Sequence, residues 1–216
     1  MDPVLDNLDL YWSGFLRSLS LIGWTLVGSM VLGTLIAACR VSPVASLRAF
    51  GAAWVTVLRN CPLTIVLFFM AFGLPEIGIN ASYYVFGIAA LSLYTSAFVC
   101  EALRSGINAV DTGQAEAARA IGLTFTQSMR SVVLPQAFRS AIPPLGSVQI
   151  AMFKNSAIAG AFGIGGALFS VSKNLTSAQG YPYIPVLTGV AIGYLIITLS
   201  ASAALAVIER KVAIAR

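Results

Sequence analysis

Two short polar groups interrupt long apolar stretches of the chain and could bind a small polar solute. Arg59 and Asn60 precede Pro62, and Lys154 precedes Asn155. A cation beside an amide can hold a carboxylate by charge and by hydrogen bonds. Proline removes a backbone hydrogen bond, so a helix can break at Pro62 and line a cavity. We therefore predict that these five residues line a substrate path.

Simpler roles for these charges remain open. Arg59 could extend its guanidinium to water along an apolar surface, and Lys154 could belong to a structural ion pair. Glu101 and Arg104 are three residues apart, which places them on one face of a helix. We predict that Glu101 and Arg104 form a structural ion pair.

The sequence offers little for enzymatic catalysis. It contains no histidine, which excludes Ser–His pairs, Cys–His pairs and histidine-ligated metals. Cys39, Cys61 and Cys100 are far apart, so we expect them to pack as small apolar residues. No GxxxxGK[ST] phosphate loop occurs, so any ATP and its Mg²⁺ must be bound by another chain. We predict that this chain is not itself an enzyme and binds no metal or cofactor.

The composition is that of a membrane protein. Of the 216 residues, 58% are hydrophobic and 10% are charged, whereas soluble domains carry about 25% charged residues. Five apolar stretches reach the roughly 20 residues that a helix needs to cross a bilayer. We predict an all-α membrane protein with about five transmembrane helices, forming one domain over residues 1–216. The predicted spans cover residues 15–39, 52–74, 83–103, 141–162 and 184–208.

Basic residues are distributed unequally between the two sides of these spans. Nine lie on one side and two on the other, and such an excess marks the cytoplasmic face. We predict an external N-terminus, with the C-terminus and the polar segment at about 104–140 in the cytoplasm. This asymmetry explains the net charge of +5, so we predict no nucleic-acid binding. The nine are Arg40, Arg48, Arg104, Arg119, Arg130, Arg139, Arg210, Lys211 and Arg216, and the two are Arg17 and Lys173.

Glycines mark two further features of the second half of the chain. Gly189 and Gly193 form a GxxxG pair in the last span, which allows close helix packing. Packing within the subunit and contact with a second subunit both remain open. The Gly- and Ser-rich connection at 163–181 is predicted to be external and to contain a short helix.

The polar segment predicts two short helices joined by a glycine. Residues 113–122 are rich in alanine and charged helix formers, and Gly122 is suited to end the helix that Asp111 caps. Thr124 and Gln127 have the spacing of a capping box, which starts a second helix. That helix is predicted to end before Leu134, because Pro135 disfavours helical geometry in the preceding residue.

The spacing within this segment resembles the EAA motif of ABC-importer permeases, EAA-x3-G-x9-I-x-LP. The matching residues are Glu116, Ala117, Ala118, Gly122, Val132 in the isoleucine position, Leu134 and Pro135. Adjacent small residues at 117 and 118 leave room for another surface, and Glu116 and Arg119 could pair with each other or with a partner. The resemblance implies that an ATPase docks on Glu116, Ala117, Ala118, Arg119, Gly122, Leu134 and Pro135.

Four other segments are similar to the permeases for polar amino acid uptake. LRNCPLT at 58–64, EALRSGI at 101–107, PLG at 144–146 and KNS at 154–156 resemble the RGTPL, E-x-x-R-x-G-I, PLGN and KNTS segments of that family. The departures, Asn60 and Cys61 for Gly-Thr and Ser147 for Asn, fall near the predicted substrate path. Together the similar segments cover the chain from about residue 20 onwards and leave no separate domain unexplained.

The resemblance implies a type I ABC importer in a bacterial cell membrane. Two permease chains, identical or related, would form the pore, two cytoplasmic ATPases would supply the energy, and an external binding protein would deliver the substrate. Arg59 and Lys154 would disfavour a cationic side chain in a space of low dielectric constant. We therefore expect glutamate, aspartate or their amides as substrates.

Two other classes of membrane protein are less consistent with the sequence. A self-sufficient secondary transporter or channel usually contains inverted repeats, and five spans with one large cytoplasmic segment show no such halves. An intramembrane enzyme would need groups such as histidine or paired aspartates. Dependence of uptake on a cognate ATPase, with ion gradients intact, would separate an importer from a secondary transporter.

Overall fold

The chain folds into helices throughout the part that the computed structural model describes, residues 3–164 and 167–212, where no strand is present. The predicted all-α class is therefore confirmed. Arg216 and residues 165–166 of the external connection, which entered the predictions, lie outside the described residues. The α-helices are α1 (Leu8–Val41), α2 (Ala45–Asn60), α3 (Leu63–Phe68), α4 (Leu74–Glu76), α5 (Tyr83–Asn108), α6 (Thr112–Ala120), α7 (Phe125–Ser128), α8 (Leu134–Ala161), α9 (Leu168–Lys173) and α10 (Tyr183–Val212).

Short turns of other helical types join several of these elements. A 3₁₀ turn at Leu5–Asn7 leads into α1. Wider π-helical turns lie at Phe69–Gly73 between α3 and α4, at Met129–Val133 between α7 and α8, and at Asn174–Ala178 after α9. The backbone is therefore helical without a break from the start of α7 to the end of α8.

The long helices correspond closely to the predicted spans. Leu5–Val41, Tyr83–Asn108 and Tyr183–Val212 are long and apolar enough to cross a bilayer. The second predicted span consists of two helices, Ala45–Asn60 and Leu63–Glu76, which meet at an angle of 103° across Pro62 and would make a fourth span if counted as one. The fourth predicted span lies in α8, which is 28 residues long but less apolar than the others because it contains prolines, Lys154 and Asn155.

The central helix is α5, which packs most extensively against α1 and α8. Small residues permit the close approach: Gly33 of α1 faces Val99, and Gly106 of α5 faces the backbone of α8. A Cβ atom on Gly106 would lie 2.6 Å from the carbonyl oxygen of Ala137 and 2.6 Å from the Cβ of Ala141. Close packing of small residues is a main source of helix association in membranes. Gly106 thus sets a short distance between α5 and α8.

The GxxxG pair of α10 is used inside the subunit. A Cβ atom on Gly189 would lie 2.9 Å from the ring of Tyr11, and one on Gly193 would clash with Leu168. The hydroxyl of Tyr11 also donates a hydrogen bond of 3.0 Å to the carbonyl of Val186. Of the two roles left open by the sequence, the structure favours packing within the subunit.

The short helix predicted in the external connection is α9. Leu168 and Val171 of α9 and Leu175 of the following turn are buried in a cluster with Tyr11 and residues of α10. The backbone N–H of Leu168 donates a hydrogen bond of 2.8 Å to the hydroxyl of Ser18 in α1. The described part of this connection from 168 to 175 therefore contributes to the core of the bundle.

Candidate functional site

The predicted pair of short helices is joined by a turn that requires glycine. Gly122 follows the end of α6 with a φ of +87°, a left-handed conformation that glycine adopts without strain. The N–H groups of Gly122 and Leu123 donate to the carbonyls of Arg119 and Ala118 at 3.0 and 3.1 Å. These two bonds form a Schellman motif, which satisfies the last carbonyls of the helix. We call α6, Gly122 and α7 (residues 112–128) the elbow.

Both predicted helix starts in the elbow are confirmed. The side chain of Asp111 accepts the N–H of Gly113 at 2.8 Å. Thr124 and Gln127 form the predicted capping box: the Gln127 side chain accepts the Thr124 N–H at 2.9 Å, and the Gln127 N–H donates to the Thr124 hydroxyl at 3.4 Å. An N-cap contributes about 1 kcal/mol to helix stability. The shape of the elbow is therefore maintained by local hydrogen bonds.

The prediction that the second helix ends before Leu134 is wrong. Leu134 and Pro135 begin α8, and the π-helical turn Met129–Val133 connects α8 to α7. Proline is tolerated in the first turn of a helix, where its missing N–H is not needed. The Leu134 N–H bonds to the carbonyl of Met129 across the wider turn. The helical backbone therefore continues from α7 into α8.

The residues that match the EAA motif are divided between the surface and the interior. Glu116, Ala117 and Arg119 are exposed, and no ion pair joins Glu116 to Arg119 in the part of the chain that the structure describes. Ala118 is only 3% exposed, so the expectation that it meets a partner surface directly is wrong. Its side chain instead faces the protein interior. Leu134 is partly exposed at the start of α8.

Two apolar side chains on the elbow were missed by sequence reasoning. Ile121 is 79% exposed and Phe125 is 74% exposed, on either side of Gly122. Isolated apolar residues next to a glycine turn in a polar segment are the signal that could have indicated them. Large apolar side chains at the surface are typical of protein contacts when they lie within a polar rim. The elbow therefore presents apolar side chains and charges together.

A second group of charged residues is centred on Glu101. Arg104, in the same helix, donates from Nη2 to Oε2 at 2.8 Å and from Nε to Oε1 at 3.3 Å. Arg40 at the end of α1 lies 3.3 Å from the carboxylate, and Arg59 at the end of α2 lies 3.7 Å from it. The structure thus brings together the two residues predicted to pair and adds two more cations. We call these four residues the Glu101 cluster.

The cluster changes the interpretation of Arg59 and reveals a role for Arg40. Arg59 was expected to be either a lone cation in the path or a side chain that reaches water, and it instead has a carboxylate partner. Arg40 could be recognised from the sequence only as a basic residue after the first span, because no local spacing relates it to Glu101. Three guanidinium groups face one carboxylate, so the cluster has excess positive charge.

Arg59 and its neighbours lie at the bend between α2 and α3. The guanidinium carbon of Arg59 is 5.7 Å from the centre of the Phe98 ring, a cation–π distance. The side chain of Asn60 donates a 2.7 Å hydrogen bond to the carbonyl of Thr56 and is thereby engaged with its own helix. Pro62 stands at the bend, immediately before α3. The predicted break at Pro62 is therefore confirmed.

A cavity of about 370 Å³ lies between α5 and α8. Its lining includes the polar side chains of Tyr94, Thr95, Ser147 and Asn155, together with the ring of Phe98, and contains no charged residue. Within the described ranges, the polar groups of Tyr94, Ser147 and Asn155 make no side-chain hydrogen bond. Sites for small ligands have volumes of about 300–1,000 Å³. The cavity can therefore accept a small polar molecule.

Lys154 faces a different space from its neighbour. It lines a cavity of about 590 Å³ with Tyr194 and apolar residues, most of them in α10. Consecutive residues of an α-helix point about 100° apart, so Lys154 and Asn155 open on different cavities. Lys154 has no ion-pair partner among the described residues, so the structural ion pair left open for it is not supported. The structure does not bring Lys154 and Arg59 together.

Known proteins are similar to this chain over nearly its whole length. Residues 29–214 match the family described as binding-protein-dependent transport system inner membrane components. The glutamate transport system permease protein GluC of Corynebacterium efficiens is 41% identical over 212 residues, which cover 93% of this chain and 92% of the relative. The probable glutamine ABC transporter permease protein GlnM of Bacillus subtilis is 37% identical over 208 residues, which cover 96% and 95%.

A solved structure is also similar to this chain over nearly its whole length. The crystal structure of an amino acid ABC transporter with histidines superposes on this chain with a TM-score of 0.90, at 32% sequence identity. The superposition covers 96% of each chain. The bundle, the elbow and the two cavities are therefore set within a fold that is already known from experiment.

Proposed function

The chain belongs to the family of binding-protein-dependent transport system inner membrane components, and from the names of its similar permeases we propose that it imports amino acids. It is the membrane permease component of an ABC importer and not the ATPase of that importer. We propose glutamate, aspartate or their amides as substrates. The observation that carries the proposal is the elbow, because an EAA-type spacing coincides with an exposed, capped helix pair continuous with α8.

The elbow is the proposed docking element for the ATPase, with two ATPase subunits in an assembly of two permease chains. Exposed Glu116 and Arg119 would provide polar contacts, and Ile121 and Phe125 would bury apolar surface. ATP and Mg²⁺ would be held by the ATPase subunits. Movement of those subunits would displace the elbow as a rigid body and rotate or translate α8. The proposed docking set is Glu116, Ala117, Arg119, Gly122, Leu134 and Pro135, supported from inside by Ala118.

The proposed orientation places the N-terminus outside and the elbow and C-terminus in the cytoplasm of a bacterial cell. The unequal distribution of basic residues supports this orientation. Arg48, Arg119, Arg130 and Arg139 are exposed on the side proposed to face the cytoplasm. An external binding protein would then deliver substrate at the end of the bundle that contains α9. A second permease chain, identical or related, would complete the pore.

The proposed substrate path runs along α5 and α8 and past the bend between α2 and α3, and its candidate residues are Arg59, Asn60, Pro62, Lys154 and Asn155. The uncharged cavity beside Asn155, whose mainly apolar lining includes four polar side chains, supports a path for a polar amino acid. Two of the similar permeases are named for glutamate and for glutamine, which supports the proposed substrate class. Arg59, the cation beside the wall of this cavity, would disfavour a cationic side chain.

Reconstituted transport tests this function. The permease, with its ATPase and binding protein in proteoliposomes, should take up labelled glutamate or glutamine only when ATP is hydrolysed. Arginine should compete less well than glutamate or glutamine, and better competition by arginine would contradict the substrate class. Uptake that survives ATPase inactivation but stops when ion gradients are collapsed would instead indicate a secondary transporter.

A further inference from the structure

We propose that Arg59 receives the α-carboxylate of the amino acid as it leaves the cavity between α5 and α8, and that Glu101 and the substrate alternate as partners of Arg59. The inference rests on the proposed function and specifies a direction: the substrate moves carboxylate first towards the end of the bundle that carries the elbow. Glu101 lies near the α5 end that leads into the elbow, which places the cluster on that side of the cavity.

Arg59 is the arginine that Glu101 holds least firmly. Arg104 makes two hydrogen bonds with the carboxylate, the shorter of 2.8 Å, and Arg40 lies 3.3 Å from it. Arg59 lies at 3.7 Å, donates no hydrogen bond within the described ranges and has a side chain 46% exposed, against 22% for Arg40 and 38% for Arg104. A guanidinium carries five N–H donors in a fork that matches a carboxylate. Those of Arg59 are available to a second anion.

The charge of the cluster favours a second carboxylate. Glu101 neutralises one of three nearby cations, and both of its oxygens are already shared between arginines. An incoming carboxylate would therefore meet positive potential in a partly buried setting, where charge interactions are stronger than in bulk water. Arg59 can accept it without leaving Glu101 unpaired, because Arg104 and Arg40 remain bound.

The position of Arg59 links the cluster to the cavity. Its guanidinium lies against the ring of Phe98, which forms part of the cavity wall. The cavity has a mainly apolar lining in which Tyr94, Ser147 and Asn155 place neutral polar groups, and the other cation, Lys154, lines a different cavity. A zwitterion in this cavity thus has Arg59 as the cation beside its wall, and its carboxylate turns towards Arg59.

A cycle that pairs a change in the protein with a change in the ligand tests this contact. Binding of labelled glutamine or glutamate, whichever is transported, is measured on the purified permease–ATPase complex without the binding protein. The α-amide of the same amino acid is then added as a competitor, so that the two affinities can be compared. Wild-type complex should prefer the amino acid by about tenfold or more, because a hydrogen-bonded charge contact has that value. In Arg59→Gln this preference should fall to about one, and Arg59→Lys, which keeps the charge without the fork, should be intermediate.

Arg40→Gln is the matched control, since it removes one positive charge from the same cluster at a site with no described contact to the cavity lining. It should keep the preference for the free carboxylate. Glu101→Gln should act in the direction opposite to Arg59→Gln, with tighter binding and slower turnover, because Arg59 loses its competing partner. A purely structural cluster would instead make Arg59→Gln and Glu101→Gln alike.

The outcomes separate this inference from the function on which it rests. Retention of the tenfold preference in Arg59→Gln, or its equal loss in Arg40→Gln, would overturn the contact. The contact would also be overturned if the wild-type complex transported the amino acid but did not bind it. The same holds if the effect of Arg59→Gln depended on anionic lipid and not on the carboxylate of the ligand. A wild-type complex that transports neither glutamate nor glutamine would contradict the proposed function instead.

Discussion

Replacement of Gly122 by alanine should weaken the coupling of ATP hydrolysis to transport while the permease stays inserted in the membrane. Gly122 has a φ of +87°, and a Cβ atom built on it meets no atom within 4 Å. The penalty is therefore that of the backbone alone, about 1–2 kcal/mol for a residue other than glycine in the left-handed region. Such an energy changes the ratio of native to altered elbow by a factor of about 5–30. Once the Schellman bonds are lost, α6 no longer has a fixed angle to α7.

A second glycine provides a matched control for the backbone penalty. Gly78 has a φ of +86°, and a Cβ atom there also meets no atom within 4 Å. Gly78 lies before the first residue of α5, whereas the elbow follows the last residue of that helix. Gly78→Ala therefore carries the same local strain away from the elbow. Gly122→Asn is a rescue variant, because asparagine tolerates the left-handed region better than alanine.

The assay measures ATP hydrolysis and uptake in the same proteoliposomes, so that the number of substrate molecules moved per ATP is obtained. This ratio should fall in Gly122→Ala, by at most the factor of about 5–30 that the backbone penalty allows, fall further in Gly122→Leu, and recover in part in Gly122→Asn. It should stay near the wild-type value in Gly78→Ala. Equal losses in Gly122→Ala and Gly78→Ala, or a wild-type ratio in Gly122→Leu, would refute the argument that the elbow geometry couples the two processes.

Three further predictions concern orientation, packing and docking. In a variant without native cysteines, a cysteine that replaces exposed Ser177 should react with an impermeant thiol reagent added outside, and a cysteine that replaces exposed Thr126 should not. The reverse labelling would overturn the orientation. Gly106→Val should destabilise the purified complex by about 1–3 kcal/mol in a thermal melt, because its Cβ would lie 2.6 Å from a backbone carbonyl oxygen of α8. Gly23→Val, whose Cβ meets nothing within 4 Å, should melt close to wild type, and equal melting of the two variants would contradict the α5–α8 contact. Glu116→Lys should reduce coupled uptake by reversing an exposed charge on the proposed docking surface, and unchanged uptake would remove Glu116 from that surface.

The caps of the elbow could be predicted because their hydrogen bonds are local. Asp111, Gly122 and the Thr124–Gln127 box involve partners at most five residues away, so residue types and spacing suffice. The predicted helix end before Leu134 failed for a related reason. A proline weighs against helix in the residue before it, but a π-helical turn and a first-turn position allow the backbone to continue, and packing of α8 on α5 favours the continuous helix.

The Glu101 cluster shows the limit of such local reasoning. The pairing of Glu101 with Arg104 follows from their spacing on one helix, whereas Arg40 and Arg59 reach the same carboxylate from two other helices. Nothing in the sequence near either arginine indicates that contact. The same holds for Ala118, which the motif suggests is a surface residue and which the fold buries.

The sequence by itself determined the membrane class, the position of most spans and the shape of the elbow, because hydropathy and capping are properties of contiguous residues. Only the tertiary structure decided which face of each span turns inward: that Gly189 meets Tyr11 within the subunit, and that Lys154 and Asn155 open on different cavities. The physical reason is that lipid and protein interior are both apolar. A span that is apolar on all sides carries little pattern to fix its rotation about its own axis, so small residues and polar contacts between distant helices must fix it instead.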